Sequence, residues 1–267
     1  MSRSYRTAVT ACTLGLGLAA MTAVLPSSSA AAEAPTHSRH GTDHFVAKSR
    51  AAEGDGTTDH YCDGCTPPLE YSGGPVLDTT GDTGLTITPI YWAPADATPF
   101  PDTYQPLINR YITDVAAASG STDNVYAINA EYYQDIGGTQ TNLDYKITAG
   151  EPIVDTEPFP ADGCTPEGAL TNCITDDQLR AELVRITSEL GLTTDLANFY
   201  PVFLPPGVET QDLDGSTSAS AYCGYHRAFD SDTGVIVYGN EPYEEEGCDG
   251  GQAPNGDIVA DLSLIHI

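Results

Sequence analysis

The amino-acid sequence predicts an α+β fold, built as a mixed sheet with packed helices. Two stretches carry apolar residues at the spacing of a helix with one buried face. Around them lie short segments rich in β-branched and aromatic residues, which favour strands. Helical and extended segments alternate and no internal repeat occurs. We therefore expect one layered domain of roughly 200 residues.

The first elements of this domain are a strand and a long helix. Residues 85–92 (LTITPIYW) alternate in polarity and predict a strand, in which Pro89 indicates a bend or an edge position. The helix is predicted to begin after Asp102, which can cap it, and to stop at Gly120. Its apolar stripe consists of Tyr104, Leu107, Ile108, Tyr111, Ile112 and Val115.

The next segments continue the alternation. Residues 124–133 predict a short helix, and residues 143–154 predict extended structure broken at Gly150 and Pro152. One face of the short helix carries Val125, Ile128 and Tyr132. Later strands are predicted at residues 198–204 and 234–238.

A second long helix is predicted over residues 176–190. Thr175 and Gln178 form a capping box at its start, and Gly191 ends it. The stripe predicted to be buried consists of Leu179, Leu183, Ile186 and Leu190.

The chain opens with the pattern of an export signal. Arg3 and Arg6 precede an apolar run at residues 8–25, and a small-residue stretch ends at Ala34. These features predict a cleaved secretory signal peptide over residues 1–34. The alternative is a membrane anchor, but the run is rich in Ala, Gly and Thr and is weakly apolar for a permanent span.

Residues 35–60 are predicted to be a disordered linker or propeptide, because they hold few large apolar side chains. The α+β domain is predicted over residues 61–261. A metal site is the alternative interpretation of the histidines before the domain, but an unstructured segment gives their side chains no fixed geometry. These histidines are His37, His40, His44 and His60.

The cysteines predict disulfides. Seven are present, and one of them, Cys12, lies in the signal, so six remain after export. An even number in an exported chain favours disulfides over free thiols. Short loops favour Cys164–Cys173 and Cys223–Cys248. Cys62 and Cys65 are predicted to form a third bridge, with half of a zinc site as the alternative.

The charge excludes some partners. The formal net charge is −28, and such a surface repels the phosphates of nucleic acids and anionic membranes. We expect neither as a partner after signal cleavage.

Residues 212–215 (DLDG) are only a fragment of a calcium-binding loop and are predicted to form a turn.

Common catalytic motifs are absent from the sequence, which contains no HExxH, GxSxG, phosphate-binding loop or dinucleotide fingerprint. The catalytic residues therefore remain unknown. After the linker the histidines are His226 and His266, and we expect His226 to have a packing or surface role rather than a catalytic one. Residues 244–246 predict a solvated acidic loop.

The polar region around Cys223 and Cys248 predicts a rigid wall that lines a groove. Its candidate groove-lining residues are Tyr225, His226, Asn240, Gln252 and Asn255.

Several ordered segments carry a resemblance to a known family. They are residues 71–77 (YSGGPVL), 87–92 (ITPIYW), 223–226 (CGYH) and 251–255 (GQAPN). Together they resemble actinobacterial exported proteins that are similar to the plant phosphate-induced, Exordium-type family. The likeness extends from about Cys65 to Asp261.

The resemblance implies a zincin-like helix shortly after residues 251–255. In such proteins that helix contains His-Glu followed by further His or Glu residues, as in zincin metallopeptidases, where two side chains bind zinc and a Glu activates water. This chain carries no such residues after Asp261. We therefore expect a zincin-like fold that is incomplete at its C-terminus.

The last six residues, Leu262–Ile267, read LSLIHI. The transposon end used to prepare sequencing libraries, CTG TCT CTT ATA CAC ATC, translates to the same six residues. We expect a non-native tail at 262–267. An authentic apolar strand is the alternative.

Two functions follow as hypotheses. The first is a secreted, extracellular protein of the Exordium-like family, a zincin-like metallopeptidase in its full-length form and inactive as truncated. The second is a non-catalytic extracellular or cell-wall-associated binding or signalling protein. No cofactor or metal is expected in this chain, and zinc is expected only in the full-length protein. The partner would be an extracellular peptide or a cell-wall component.

Overall fold

The structure, a computed structural model, describes residues 44–47, 84–136, 139–243, 248 and 255–261. The predicted signal peptide, the Cys62–Cys65 bridge, the acidic loop at 244–246, Gln252 and the tail at 262–267 lie outside these residues. Within the described part of the chain, no helix has the length and apolar character needed to cross a membrane.

Strands and helices alternate as predicted. In chain order the strands are β1 (His44–Ala47), β2 (Leu85–Ile87), β3 (Ile90–Trp92), β4 (Tyr133–Ile136), β5 (Thr139–Asn142), β6 (Ile147–Ala149), β7 (Ile153–Asp155), β8 (Asn172–Thr175), β9 (Asn198–Phe203), β10 (Val208–Gln211), β11 (Tyr222–Ser231) and β12 (Gly234–Glu241). The helices are α1 (Tyr104–Ala117), a 3-10 helix (Val125–Glu131) and α2 (Asp176–Leu190).

The main sheet is mixed, which confirms the α+β prediction at that level. Its centre is β9, which runs parallel to β12 on one side and to β2 and β3 on the other. Strands β6 and β7 extend the parallel part, whereas β11 and β1 add antiparallel strands beyond β12. The breaks predicted at Pro89 and at Gly150 and Pro152 separate β2 from β3 and β6 from β7.

Helices α1 and α2 contribute to separate clusters on the two faces of this sheet. Successive residues of β3 alternate, so that Ile90 and Trp92 face α2 while Tyr91 faces α1. The α2-side cluster includes Leu179, Leu183, Ile186, Tyr200, Tyr225 and Tyr238. The α1-side cluster includes Tyr104, Ile108, Ile112, Phe199, Phe203, Val237, Val259 and Ala260. Burial of these two faces fixes the position of β11 and β12.

Local signals located α2 correctly. Thr175 and Gln178 form the predicted capping box, and Gly191 has the left-handed backbone conformation (φ 63°) that ends the helix. The prediction for Leu190 is wrong, because its side chain is exposed. Thr187 occupies the buried position in the last turn instead, and its hydroxyl donates to the Leu183 carbonyl over 2.8 Å.

The start of α1 differs from the prediction. The N-cap is Thr103 rather than Asp102, and it makes no side-chain capping hydrogen bond. Its hydroxyl donates instead to Asp257 Oδ2 at 2.7 Å. A long-range hydrogen bond has therefore replaced the local cap that the sequence indicated.

The segment after α1 also differs. Residues 125–131 form a 3-10 helix, and the apolar face predicted there is exposed rather than packed. Val125, Ile128 and Tyr132 are 78%, 60% and 63% exposed. Asn124 caps this helix by accepting from the backbone N–H groups of Tyr126 and Ala127, so a local polar cap holds the element without burial of that face.

Part of the segment predicted to be a disordered linker is a strand. β1 pairs antiparallel with β11, with His44 opposite His226 in the main-chain register. The prediction of missing structure is wrong for residues 44–47. Main-chain hydrogen bonds to a sheet edge do not require apolar side chains, so the polar composition did not reveal this strand.

Both disulfides predicted from loop length are confirmed. Cys164 is bonded to Cys173 with 4.9 Å between the Cα atoms, and Cys223 to Cys248 with 5.6 Å. The second bond joins the start of β11 to the chain that follows β12.

A cluster of carboxylates around Arg185 on α2 gives a pH-dependent prediction. The Arg185 guanidinium contacts Asp155 Oδ1 at 2.7 Å, Glu189 Oε2 at 2.6 Å and the Glu182 carboxylate. Burial, together with the neighbouring Asp155, raises the pKa of Glu182 from 4.5 to about 7. The native state therefore binds more protons than the unfolded state between these two values, and stability falls as pH rises through that window.

Glu182→Gln should remove the fall in stability that ionisation of Glu182 causes as pH rises. We expect the variant to exceed the wild type in free energy of unfolding by about 1 kcal/mol near pH 8, after allowance for partial solvent screening. The gain should shrink toward pH 5. Urea unfolding at both pH values tests this, with the more exposed Glu189→Gln as the control. An equal difference at both pH values would contradict it.

Candidate functional site

The polar residues of β11 and β12 separate onto the two sides of the sheet. On the α2 side they form a buried network centred on Asp176, the first residue of α2. Tyr225 and Tyr238 donate to Asp176 Oδ1 at 2.6 and 2.5 Å. Arg180 Nε forms an ion pair with Asp176 Oδ2 at 2.6 Å.

Arg227 extends this network. Its guanidinium donates to both carboxylate oxygens of Asp212, with NH2 to Oδ2 at 3.0 Å, and lies 4.0 Å from Asp176 Oδ2. Residues 212–215 form the predicted turn, closed by a hydrogen bond from Gly215 N to the Asp212 carbonyl. The turn thus positions a buried carboxylate, which the sequence did not indicate.

The network is structural in character. Burial, with the adjacent Asp176 charge, raises the pKa values of the Tyr225 and Tyr238 hydroxyls well above the usual value of 10.0. Both phenols therefore remain protonated donors at neutral pH. Asp176 and Arg227 are almost fully buried, so a substrate has no direct access to their charged groups.

The α1 side carries two other polar residues, His226 and Glu241. Glu241, the last residue of β12, is 1% exposed. It pairs in register with Phe203, a member of the α1-side cluster, so its side chain belongs to the same face. His226 on β11 lies directly opposite Gly239 in the antiparallel register and is half-buried. Gly239 and Glu241 are two residues apart and share this face.

A helix begins beside this face at Ile258. Asp257 caps it, because its Oδ1 accepts from Ala260 N at 3.0 Å and its carbonyl accepts from Asp261 N at 2.9 Å. Residues 258–261 are helical. Val259 and Ala260 are buried in the α1-side cluster, so the first turn of this helix packs on the same face of the sheet as Glu241.

The candidate groove-lining residues are not all brought together. Tyr225 lies in the α2-side network, and Asn240 lies on the same side, where its Nδ2 donates to Thr210 Oγ1 at 2.9 Å. His226 faces the α1 side. Asn255 is exposed and donates through its backbone N–H to Asp261 Oδ2 at 3.0 Å.

Sequence reasoning missed Glu241, although a signal for it was present. The strand predicted to end at Tyr238 continues to Glu241. Continued alternation from Val235 and Val237 through Gly239 would have placed Glu241 on an apolar face. The residues described contain no group of three or more His, Cys, Asp or Glu side chains placed to hold a metal ion.

Comparison with known proteins gives no relative. No family model matches the chain, no curated protein matches it, and no solved structure matches it.

Proposed function

We propose that the protein is an exported, extracellular member of the Exordium-like family and, in its full-length form, a zincin-like metallopeptidase. The observation that carries this proposal is the helix beginning at Ile258. It starts directly after residues 251–255, where the resemblance expects a metal-binding helix, and its first turn packs on the α1 side of the sheet. The two disulfides are compatible with an oxidising, extracellular location.

The donor types on the α1 side fit zinc. Proteins bind zinc through His nitrogen, Cys sulfur and Asp or Glu oxygen, and His226 and Glu241 offer a nitrogen and an oxygen on one face. A bound zinc ion would polarise a carbonyl group and lower the pKa of a water molecule. Phe199, Phe203 and Val237 make the same face of the sheet apolar, and Glu241 is 1% exposed.

This proposal predicts that extending the chain beyond Asp261 with the authentic gene sequence gives peptidase activity. The product of the gene read past the codon for Asp261 should contain one zinc ion per chain and hydrolyse peptides, with activity lost to a chelator and restored by zinc. Elemental analysis and a peptidase assay measure both, with the 267-residue chain as an inactive control. A stop codon after Ile267 in the genome, or an extended product without zinc or hydrolysis, would contradict the proposal.

A second candidate function is non-catalytic binding of an extracellular peptide or cell-wall component. The observation that favours it is the exposed apolar surface near the 3-10 helix, formed by Val125, Ile128, Tyr132 and Tyr133. Large exposed apolar patches often mark interaction sites. The experiment above separates the two functions, because an extended product with neither zinc nor peptidase activity favours this one.

A further inference from the structure

The 3-10 helix at Val125–Glu131 presents one exposed row of side chains. In a 3-10 helix three residues complete a turn, so side chains three positions apart lie directly above one another. Val125, Ile128 and Glu131 have this spacing and form the row, which we call the 3-10 stripe. Val125 and Ile128 are 78% and 60% exposed, and Glu131 is exposed as well. The stripe therefore offers two apolar side chains followed by a carboxylate.

The helix is held in place from its other side. The Tyr126 ring lies 6.2 Å from the ring of Tyr111 on α1 and 6.1 Å from the ring of Tyr145. Asn124 caps the helix, and its Nδ2 donates to Tyr145 Oη at 3.2 Å. Because these contacts position the helix before any partner arrives, a partner that binds the stripe does not have to order it.

The spacing of the stripe matches an extended peptide. A 3-10 helix rises about 2.0 Å per residue, so neighbouring stripe residues are about 6 Å apart along the helix axis. In a strand, side chains on one face recur at every second residue, about 6.4–6.8 Å apart. A helical partner docks into a groove, whereas a single row on the convex surface of a helix provides none. An extended partner is therefore the better fit.

Charge favours a basic partner. Residues 111–145 contain five acidic residues and no Lys or Arg, so a cation on the partner opposite Glu131 would meet an attractive potential. A second copy of this chain is disfavoured for the same reason, because each copy carries a net charge of −28.

We propose that the 3-10 stripe binds an extended peptide that carries two apolar residues and one Lys or Arg at successive alternate positions. Val125 and Ile128 cover the two apolar side chains, and Glu131 pairs with the cation. The proposal rests on the second candidate function, the binding of an extracellular peptide, and names the class of peptide. It involves neither a metal ion nor the α1 side of the sheet.

The test selects peptides with the 267-residue chain without its signal peptide. Random short peptides displayed on phage are selected on the wild type and counter-selected on a double variant, Val125→Ser with Ile128→Ser. The enriched peptides should carry the alternate pattern of two apolar residues and one Lys or Arg. A fluorescein-labelled synthetic copy of an enriched peptide then serves as the probe. Its dissociation constant should rise about tenfold or more in the double variant, which lacks both apolar contacts.

Charge reversal tests Glu131 separately. Glu131→Lys should weaken binding of the probe about fivefold, as expected for an exposed ion pair, and added salt should reduce the difference. A probe whose Lys or Arg is replaced by Glu should bind Glu131→Lys more tightly than the wild type. Leu190→Ser and Glu151→Lys are the matched controls, because each changes an exposed residue outside the stripe in the same way. Both should bind the original probe as the wild type does.

The proposal is overturned if no peptide is enriched, if the enriched peptides lack the alternate pattern, or if the double variant, shown to be folded by circular dichroism, binds the probe as tightly as the wild type. In the last case peptide binding would stand and the stripe alone would fail. Stripe-dependent retention on purified cell-wall glycan, without peptide enrichment, would also overturn the proposal and identify a glycan as the occupant. Zinc content and hydrolysis by the extended product are separate measurements, so the peptidase can fail while binding at the stripe stands.

Discussion

Asp176→Ala is expected to reduce the free energy of unfolding by about 3–5 kcal/mol, which is typical for the loss of one partner from a buried ionic group. Asp176 accepts hydrogen bonds from Tyr225 and Tyr238 and balances the charge of Arg180. Arg227, which lies within 4.0 Å of Asp176, would lose this neighbouring charge but keep its ion pair with Asp212. The variant would leave two phenols and a guanidinium without their buried acceptor.

Asp177→Ala is the matched control. Asp177 lies in the same first turn of α2 but is exposed, so its loss removes only a favourable interaction with the helix dipole, worth about 0.3–1 kcal/mol. Chemical denaturation of both variants measures the difference. Similar losses in the two variants would show that the network contributes no more than the helix dipole.

The elements that sequence predicted well are those specified by neighbouring residues. Helix α2 begins and ends where its capping box and Gly191 indicate, because each signal acts within one helical turn. The stripe of α1 was predicted for a similar reason, since residues three and four apart share a face. Loop length likewise sufficed for both disulfides.

The residues that sequence did not predict depend on contacts between distant segments. Asp176, Asp212 and Arg227 come from a helix, a turn and a strand, and nothing local marks them as partners. Asp102 was expected to cap α1, but Thr103 lies at the N-cap and its hydroxyl donates to Asp257, which lies 154 residues away. Predicting such contacts requires knowledge of the sheet topology, and the periodicity of apolar residues in the sequence does not reveal that topology.

The α1 side of the sheet also depends on contacts between distant segments that the sequence did not predict. The sequence predicts a packing or surface role for His226 and names it as a candidate groove-lining residue, but it does not single out Glu241. Their relation depends on the register between β11 and β12 and on the absence of a side chain at Gly239. A shift of one residue in that register would put His226 on the other face of the sheet.

Loss of the Cys223–Cys248 disulfide is expected to have the second largest effect. Replacing both cysteines with alanine should cost about 3.5 kcal/mol, because the bond closes a long loop in the unfolded chain. Its sequence separation is 25 residues, against 9 for Cys164–Cys173. The same relation gives about 2.6 kcal/mol for the shorter loop.

Urea unfolding of the two double variants, Cys223→Ala with Cys248→Ala and Cys164→Ala with Cys173→Ala, tests this order. The variant without Cys223–Cys248, the bond that closes the longer loop, should lose about 1 kcal/mol more in free energy of unfolding than the other variant. Equal stability losses would mean that the longer loop gives its bond no larger effect on the unfolded chain.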